Sequence, residues 1–117
     1  MKSILITGGA GFIGQNLVKF FQNKYNIIII DNLSTKGTLK NFLFDKANVT
    51  FFKIDISNFS KIKETLKDIK IDYVIHAAAH FANENSIINP TKDLKTNILG
   101  TLNILELCKQ KKVKKFL

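Results

Sequence analysis

The sequence predicts an α/β domain built on a doubly wound parallel sheet, with its strands in the order 3-2-1-4. Three observations carry this expectation. Apolar runs of strand length alternate with stretches of helical periodicity along the 117 residues. The strand runs are continuously apolar, as in Ile27-Ile28-Ile29-Ile30, the mark of strands covered on both faces. A glycine-rich turn joins the first strand directly to the first helix. Strands alternating with helices form parallel sheets through right-handed crossovers.

Each element has its own justification. Ser3–Thr7 and Asn26–Ile30 are runs rich in β-branched residues. Between them Ile13, Leu17, Phe20 and Phe21 recur at i, i+4, i+7 and i+8, which predicts a helix with these four on its buried face. Val49–Ile54 and Asp72–His76 read as the third and fourth strands. A helix is expected over about 58–67, with Ser57 or Asn58 as its N-cap. A long helix is expected from Thr91 to Lys109, with Leu94, Ile98, Leu102 and Leu105 on one stripe. Val113–Leu117 opens a further strand as the sequence ends. Residues 1–117 therefore read as a single domain, incomplete at its C-terminus and truncated at the start of the fifth strand. Strand four is then expected to expose an unpaired edge, which favours a homodimer or other self-association.

Composition narrows the classes of function. At 45% hydrophobic and 23% charged, the chain is an ordinary globular domain rather than a disordered one. No apolar run approaches the roughly 20 residues of a membrane span, and the first residues do not form a signal peptide. A cytoplasmic protein is expected, and the single Cys108 cannot make an internal disulfide. The formal charge is +9, but every basic residue is a lysine. Five lysines crowd into residues 109–117, where they complement the dipole of a helix end. Without arginine, the side chain best shaped for bidentate contacts to bases and phosphates, nucleic-acid binding is not expected. The ten phenylalanines read as core filling.

Chemistry enters with Thr7-Gly8-Gly9-Ala10-Gly11-Phe12-Ile13-Gly14, set between the first strand and the first helix. Glycines at 8, 11 and 14 allow a sharp turn, close approach of a pyrophosphate and tight packing of helix on strand. The helix N-terminus offers free N–H groups and partial positive charge to the phosphates. Asp31 closes the second strand, where a carboxylate accepts hydrogen bonds from an adenosine ribose and repels a 2′-phosphate. NAD is therefore favoured over NADP as cofactor. No His, Cys or carboxylate cluster has metal-ligand spacing, so no metal is expected.

These residues and those that follow resemble the extended short-chain dehydrogenase/reductase family, the NAD-dependent sugar-nucleotide epimerases and dehydratases. The glycine string is similar to the opening of that family, and Asp31-Asn32-Leu33-Ser34-Thr35 to its signature after the second strand. Asp55-Ile56 resembles its adenine-edge pair, and Val74-Ile75-His76-Ala77-Ala78-Ala79 its fourth-strand motif. Ser86, Pro90 and Thr96-Asn97-Ile98-Leu99-Gly100 resemble the helix that follows. The resemblance implies a Rossmann-like fold in which Gly8, Gly11, Phe12, Ile13 and Gly14 face the pyrophosphate of NAD. It places Asp31 and Asn32 on the adenosine ribose, bordered by Ser34, Thr35 and Lys36, with Asp55 and Ile56 flanking the adenine. Ala77, Ala78, Ala79 and Thr96 would lie along the nicotinamide half, and Asn97 would support the active site.

The family oxidises a sugar hydroxyl through a Tyr-x-x-x-Lys pair with a Ser or Thr beside it. Here Tyr25 is followed four residues later by Ile29, and Tyr73 by Ala77. No catalytic residue is therefore assigned. The resemblance implies an N-terminal portion of a longer enzyme, inactive alone, whose nucleotide-sugar substrate is held by residues beyond these. The alternative is a non-catalytic NAD-binding or assembly module. His76 reads as a hydrogen-bonded residue at a strand end, and Cys108 as a small core residue. His80 departs from the apolar residue usual in the family, and Phe81 from the cofactor-contacting lysine of many epimerases.

Overall fold

The structure, a computed structural model, describes residues 1–35, 46–81 and 83–117. Lys36 lies outside the described residues. Among the described residues five parallel strands form one sheet: β1 (Ser3–Thr7), β2 (Asn26–Asp31), β3 (Val49–Lys53), β4 (Tyr73–His76) and β5 (Lys115–Phe116). Their order is β3-β2-β1-β4-β5. This is the Rossmann-like arrangement expected, extended by one strand. β1 lies at the centre, with Leu5 opposite both Ile28 and Val74.

Successive residues of a strand face opposite sides of the sheet, and both sides here are covered. Leu5, Ile28, Ile30 and Val74 pack with Ile62 and Leu66 of α2 (Phe59–Leu66) and with Ile104 and Leu107 of α5 (Thr101–Lys111). Ile4, Ile6, Ile27 and Ile29 pack on the other side with Val18 of α1 (Phe12–Phe21). The unbroken isoleucine run of β2 is explained by this double coverage. Cys108 packs against the first cluster, and burial pushes its thiol up from the ordinary value.

Three details differ from the sequence expectation. α1 buries Gly14 and Val18, with Leu17 and Phe21 half-covered, while Ile13 and Phe20 are exposed. Gly14 seats against the Gly8 backbone, and this contact sets the helix rotation rather than the bulk of Ile13 and Phe20. The single helix expected from Thr91 is divided. Asn89 caps α4 (Pro90–Asp93) by accepting from Lys92 N–H at 3.2 Å, a π-helical segment follows over Leu94–Gly100, and α5 continues from it. Gly100 meets Ile56 so closely that a Cβ there would lie 2.5 Å from Ile56 Cδ1. This approach sets Asn103, Ile104 and Leu107 inward and leaves the stripe Leu94, Ile98, Leu102 and Leu105 exposed. A short helix α3 (Asn83–Ile88), which the sequence pattern did not announce, precedes α4.

The edge of β4 is also not bare. His76 N–H donates to Leu117 O (2.7 Å) and Leu117 N–H to Val74 O (3.0 Å), so β5 takes the place of the expected unpaired edge. At α2 the cap is Asn58, whose side chain accepts from Lys61 N–H at 3.1 Å. Lys111 is no solvated tail residue, because its ammonium donates to the carbonyls of Leu66 (2.6 Å), Lys67 (2.6 Å) and Ile69 (3.1 Å). It thereby closes the C-terminal end of α2.

Candidate functional site

At the C-terminal ends of β1, β2 and β4 the chain leaves the sheet in three turns around one groove of about 430 Å³. A doubly wound sheet opens its ligand crevice at this edge, where the connections diverge. The first turn is the glycine loop. Gly8 adopts φ +67, a conformation open to glycine at no steric cost, and its N–H donates to Ile30 O at 2.8 Å. A Cβ on Gly8 would press on the Ala77 carbonyl group and Ala78 N at 2.8–2.9 Å, and one on Gly14 would collide with the Gly8 carbonyl. A Cβ on Gly9 would lie 2.5 Å from Ile29 Cγ2. Each of these three glycines is demanded by the protein itself. Gly11 is less constrained: among the described residues a Cβ there would meet only the Gly8 carbonyl oxygen, at 3.3 Å.

Gly11 is also the N-cap of α1. It has no side chain to cap the helix, and the first turn carries no acid. The amides of Phe12, Ile13 and Gly14 precede the first intrahelical bond, Gln15 N–H to Gly11 O at 2.9 Å. All three residues line the groove, which therefore has an uncompensated helix dipole at its floor.

The second turn follows β2. Asp31 accepts from Ala10 N–H (3.0 Å) with one carboxylate oxygen and from Leu33 N–H (2.8 Å) with the other. It ties the glycine loop to the end of β2 while lining the groove with Asn32, Ser34 and Thr35. Asp55 follows β3 and is hydrogen-bonded to Asn32 of the groove. Burial works to raise its carboxyl, but the Ser57 amide and hydroxyl, the Asn32 side chain and the Lys92 ammonium together hold it below the usual range. Its neighbours Ile54 and Ile56 line the groove and Asp55 does not.

The third turn follows β4. Hydrogen-bond counting assigns the His76 tautomer. The Thr101 hydroxyl donates to Asn97 O at 2.7 Å, so toward His76 Nε2 (3.0 Å) it can only accept, and Nε2 carries the proton. Nδ1 is then the acceptor for the Thr7 hydroxyl at 2.7 Å, while Thr7 Oγ1 accepts from Ala78 N–H at 3.2 Å. Burial depresses the His76 pKa below its ordinary value, in keeping with a neutral ring. With both nitrogens engaged, His76 fixes the turn and has no free atom for chemistry.

Ala77, Ala78 and Ala79 then form one wall of the groove, with Thr96 of the π-helical segment beside it. Asn97 holds the end of this wall with both ends of its amide, accepting from His80 N–H and donating to His80 O, each at 2.8 Å. Of the sixteen positions expected around a dinucleotide, fifteen are described, and the groove gathers fourteen of them, Asp55 being the exception. It also gathers Ile30, Ile54, His80, Phe81 and Lys92. His80 and Phe81 directly continue the alanine run. Lys92 depends on the turn between α3 and α4 and had no signal in the spacing. Neither tyrosine lies in the groove. Tyr25 and Tyr73 stack edge to face at 6.1 Å on the α1 side, and Lys2 Nζ donates to the Tyr73 hydroxyl at 3.2 Å.

Residues 4–117 match the pattern of the NAD dependent epimerase/dehydratase family. The chain belongs to that family. A putative UDP-glucose 4-epimerase of Methanocaldococcus jannaschii is 43% identical over 108 residues, covering 92% of this chain and 34% of the relative. The UDP-glucose 4-epimerase of Thermotoga maritima, solved with UDP-glucose, superposes with a TM-score of 0.87 at 37% identity, over 97% of this chain and 36% of that one. The Thermus thermophilus UDP-glucose 4-epimerase, solved with NAD, gives 0.83 at 30% identity over 97% and 36%. The chain thus spans about a third of the length of the family members it matches. Among the described residues no helix is long and apolar enough to cross a membrane, and no group of His, Cys, Asp or Glu could hold a metal ion.

Proposed function

We propose that the groove binds NAD and that the chain is the cofactor-binding portion of a nucleotide-sugar epimerase or dehydratase. One observation carries the cofactor reading. Gly11 lacks a side chain where, among the described residues, a Cβ would meet one atom, the Gly8 carbonyl oxygen at 3.3 Å, directly above an uncapped helix N-terminus. A glycine at such a place leaves room for an anion to reach the amides of Phe12, Ile13 and Gly14. The pyrophosphate would sit there. Asp31 and Asn32, with Ser34, Thr35 and Lys36 alongside, would take the adenosine ribose, and Ile56 the adenine. Ala77, Ala78, Ala79 and Thr96 would border the nicotinamide half. Asp55 supports this assembly through Asn32 rather than by contact.

NAD, when bound, supplies a hydride acceptor and donor for a sugar carbon bearing a hydroxyl. The residues of this chain bind and orient the dinucleotide, and Asn97 holds the loop on which the nicotinamide wall is built. The proton of the sugar hydroxyl needs a base, and the described groove offers neither tyrosine nor a free His76 nitrogen. Neither tyrosine of the chain is followed by a lysine four residues on, so the isolated chain is expected to bind NAD without turning over a nucleotide-sugar. Calorimetric titration tests the first half, with an expected Kd weaker than about 1 μM, or less than about 8 kcal/mol. No heat and no thermal shift at millimolar NAD would overturn it.

A further inference from the structure

His80 lines the groove one step beyond the alanine wall, in a position built with unusual completeness. Its backbone N–H and carbonyl are both clamped by the Asn97 amide. Its ring Nδ1 lies 2.5 Å from Asp93 Oδ1, four residues before Asn97. The Ser86 hydroxyl and His80 together hold the Asp93 carboxyl below the usual carboxylate range, so Asp93 is an acceptor only. Nδ1 must then carry a proton. The remaining ring nitrogen, Nε2, has no hydrogen-bond partner among the described residues, and the side chain is 13% exposed. An imidazole fixed at one nitrogen by a carboxylate and at its backbone by an amide presents the second nitrogen in one orientation.

Resting on the NAD reading above, we infer that His80 is a binding residue whose Nε2 hydrogen-bonds a sugar hydroxyl in the groove, with Asp93 and Asn97 as its positioning residues. The glycine loop touches the wall at Ala77 and Ala78, so His80 lies past the phosphate-binding end. The group next to a pyrophosphate in a dinucleotide is a ribose, and a nucleotide-sugar would bring a second sugar to the same end. A hydroxyl suits Nε2 in either protonation state, since it can donate to a neutral ring and accept from a charged one. A phosphate oxygen suits only the charged ring.

The discriminating variant is His80→Asn. Its amide nitrogen takes the place of Nδ1 and retains the bond to Asp93, while Nε2 is removed. Affinities of wild type and variant are measured for ADP, ADP-ribose and NAD, and for UDP-glucose added to NAD-loaded protein. ADP binding is expected to be unchanged, with ADP-ribose and NAD weakened about three- to tenfold, the value of one neutral hydrogen bond. That result places the contact on the cofactor ribose. A loss confined to UDP-glucose places it on the substrate sugar. Equal affinities for all four ligands, or an equal loss for all four including ADP, overturn the inference, the latter because only a structural role weakens every ligand alike. If wild type binds neither ADP nor NAD, the cofactor reading itself falls, and this inference with it. Ring ¹⁵N spectra of the wild-type protein give a check that needs no variant. Nδ1 should be protonated, and the Nε2 resonance should move with ADP-ribose and stay still with ADP; an unmoved Nε2 with every ligand overturns the assignment.

Discussion

The clearest test of the cofactor site compares two glycines three residues apart. Gly14→Ala places a methyl group inside the Gly8 carbonyl, with no flexible side chain to yield. The helix must shift from the sheet, and overpacking of this kind costs about 1–3 kcal/mol or more. Gly11→Ala meets only one atom, the Gly8 oxygen at 3.3 Å, which a displacement of a few tenths of an ångström relieves. Gly11 has φ −74 and ψ 176, open to any residue, so alanine also narrows the unfolded ensemble by about 0.4–1 kcal/mol. The two effects oppose each other, and the variant should unfold within about 1 kcal/mol of wild type. Its cost falls on the ligand. A methyl group above the helix N-terminus keeps the pyrophosphate from at least one amide, and a hydrogen bond to a charged group contributes about 1.5–3 kcal/mol. At about 1.4 kcal/mol per tenfold, NAD affinity should drop roughly 10- to 100-fold. Urea denaturation and calorimetry on both variants read the two quantities separately. A Gly11→Ala protein that folds like wild type and binds NAD equally well would refute the phosphate-cradle reasoning.

Further expectations rest on other contacts. Lys111→Met leaves three carbonyls at the end of α2 without their charged donor, and should lower the unfolding free energy by about 1.5–3 kcal/mol in urea; a loss below about 0.5 kcal/mol would show that water replaces the ammonium without cost. His76 has a folded pKa below its ordinary 6.5, so the unfolded chain takes up its proton first as pH falls. Its contribution is complete above pH 6.5 and is lost as pH drops below that value, so urea midpoints from pH 8 to 5 should fall more steeply for wild type than for His76→Gln; parallel curves would contradict the neutral, doubly bonded ring. Asn97→Ala removes both clamps on His80, and amide exchange at His80 should accelerate at least tenfold while β1 amides stay protected. Unchanged exchange there would mean that the loop is held by other contacts.

How much of this could be read from the sequence varies with the range of the interactions. The strands and their order follow from local patterns, because an apolar run such as Ile27–Ile30 is stable only between two helical layers. The glycine string and Asp31 mark part of the groove, since backbone conformation and close approach are encoded in residue type; Asn32, Ile56, the alanine run and Thr96 were legible only through the resemblance to the family. The helix faces were less legible. Exposed Phe20 and the Leu94–Leu105 stripe satisfy the same periodicity as buried residues would, and what turns them outward is contact at Gly14 and Gly100. Periodicity counts apolar side chains; rotation was set here by the absence of one. The π-helical segment over Leu94–Gly100 adds a second displacement, because its wider turn shifts every later residue around the axis. Long-range polar partners such as Lys111 with α2, or Asp93 with His80, leave no trace in spacing at all.

Asp31 shows why a residue that the sequence singles out can still serve as a poor test. On sequence grounds it is a ribose acceptor, and Asp31→Ala should weaken NAD binding by about one to two orders of magnitude. In the structure the same carboxylate already accepts from Ala10 and Leu33, so alanine also releases the glycine loop from β2. Asparagine does not separate the roles either, because its amide nitrogen would face one of the two N–H donors. Any loss of affinity at Asp31 therefore mixes direct contact with loop position. Gly11 has no side-chain bond of its own to lose, and among the described residues a Cβ there would meet only the Gly8 carbonyl oxygen. A substitution at a groove position that holds few other contacts is the one that reports most directly on the ligand.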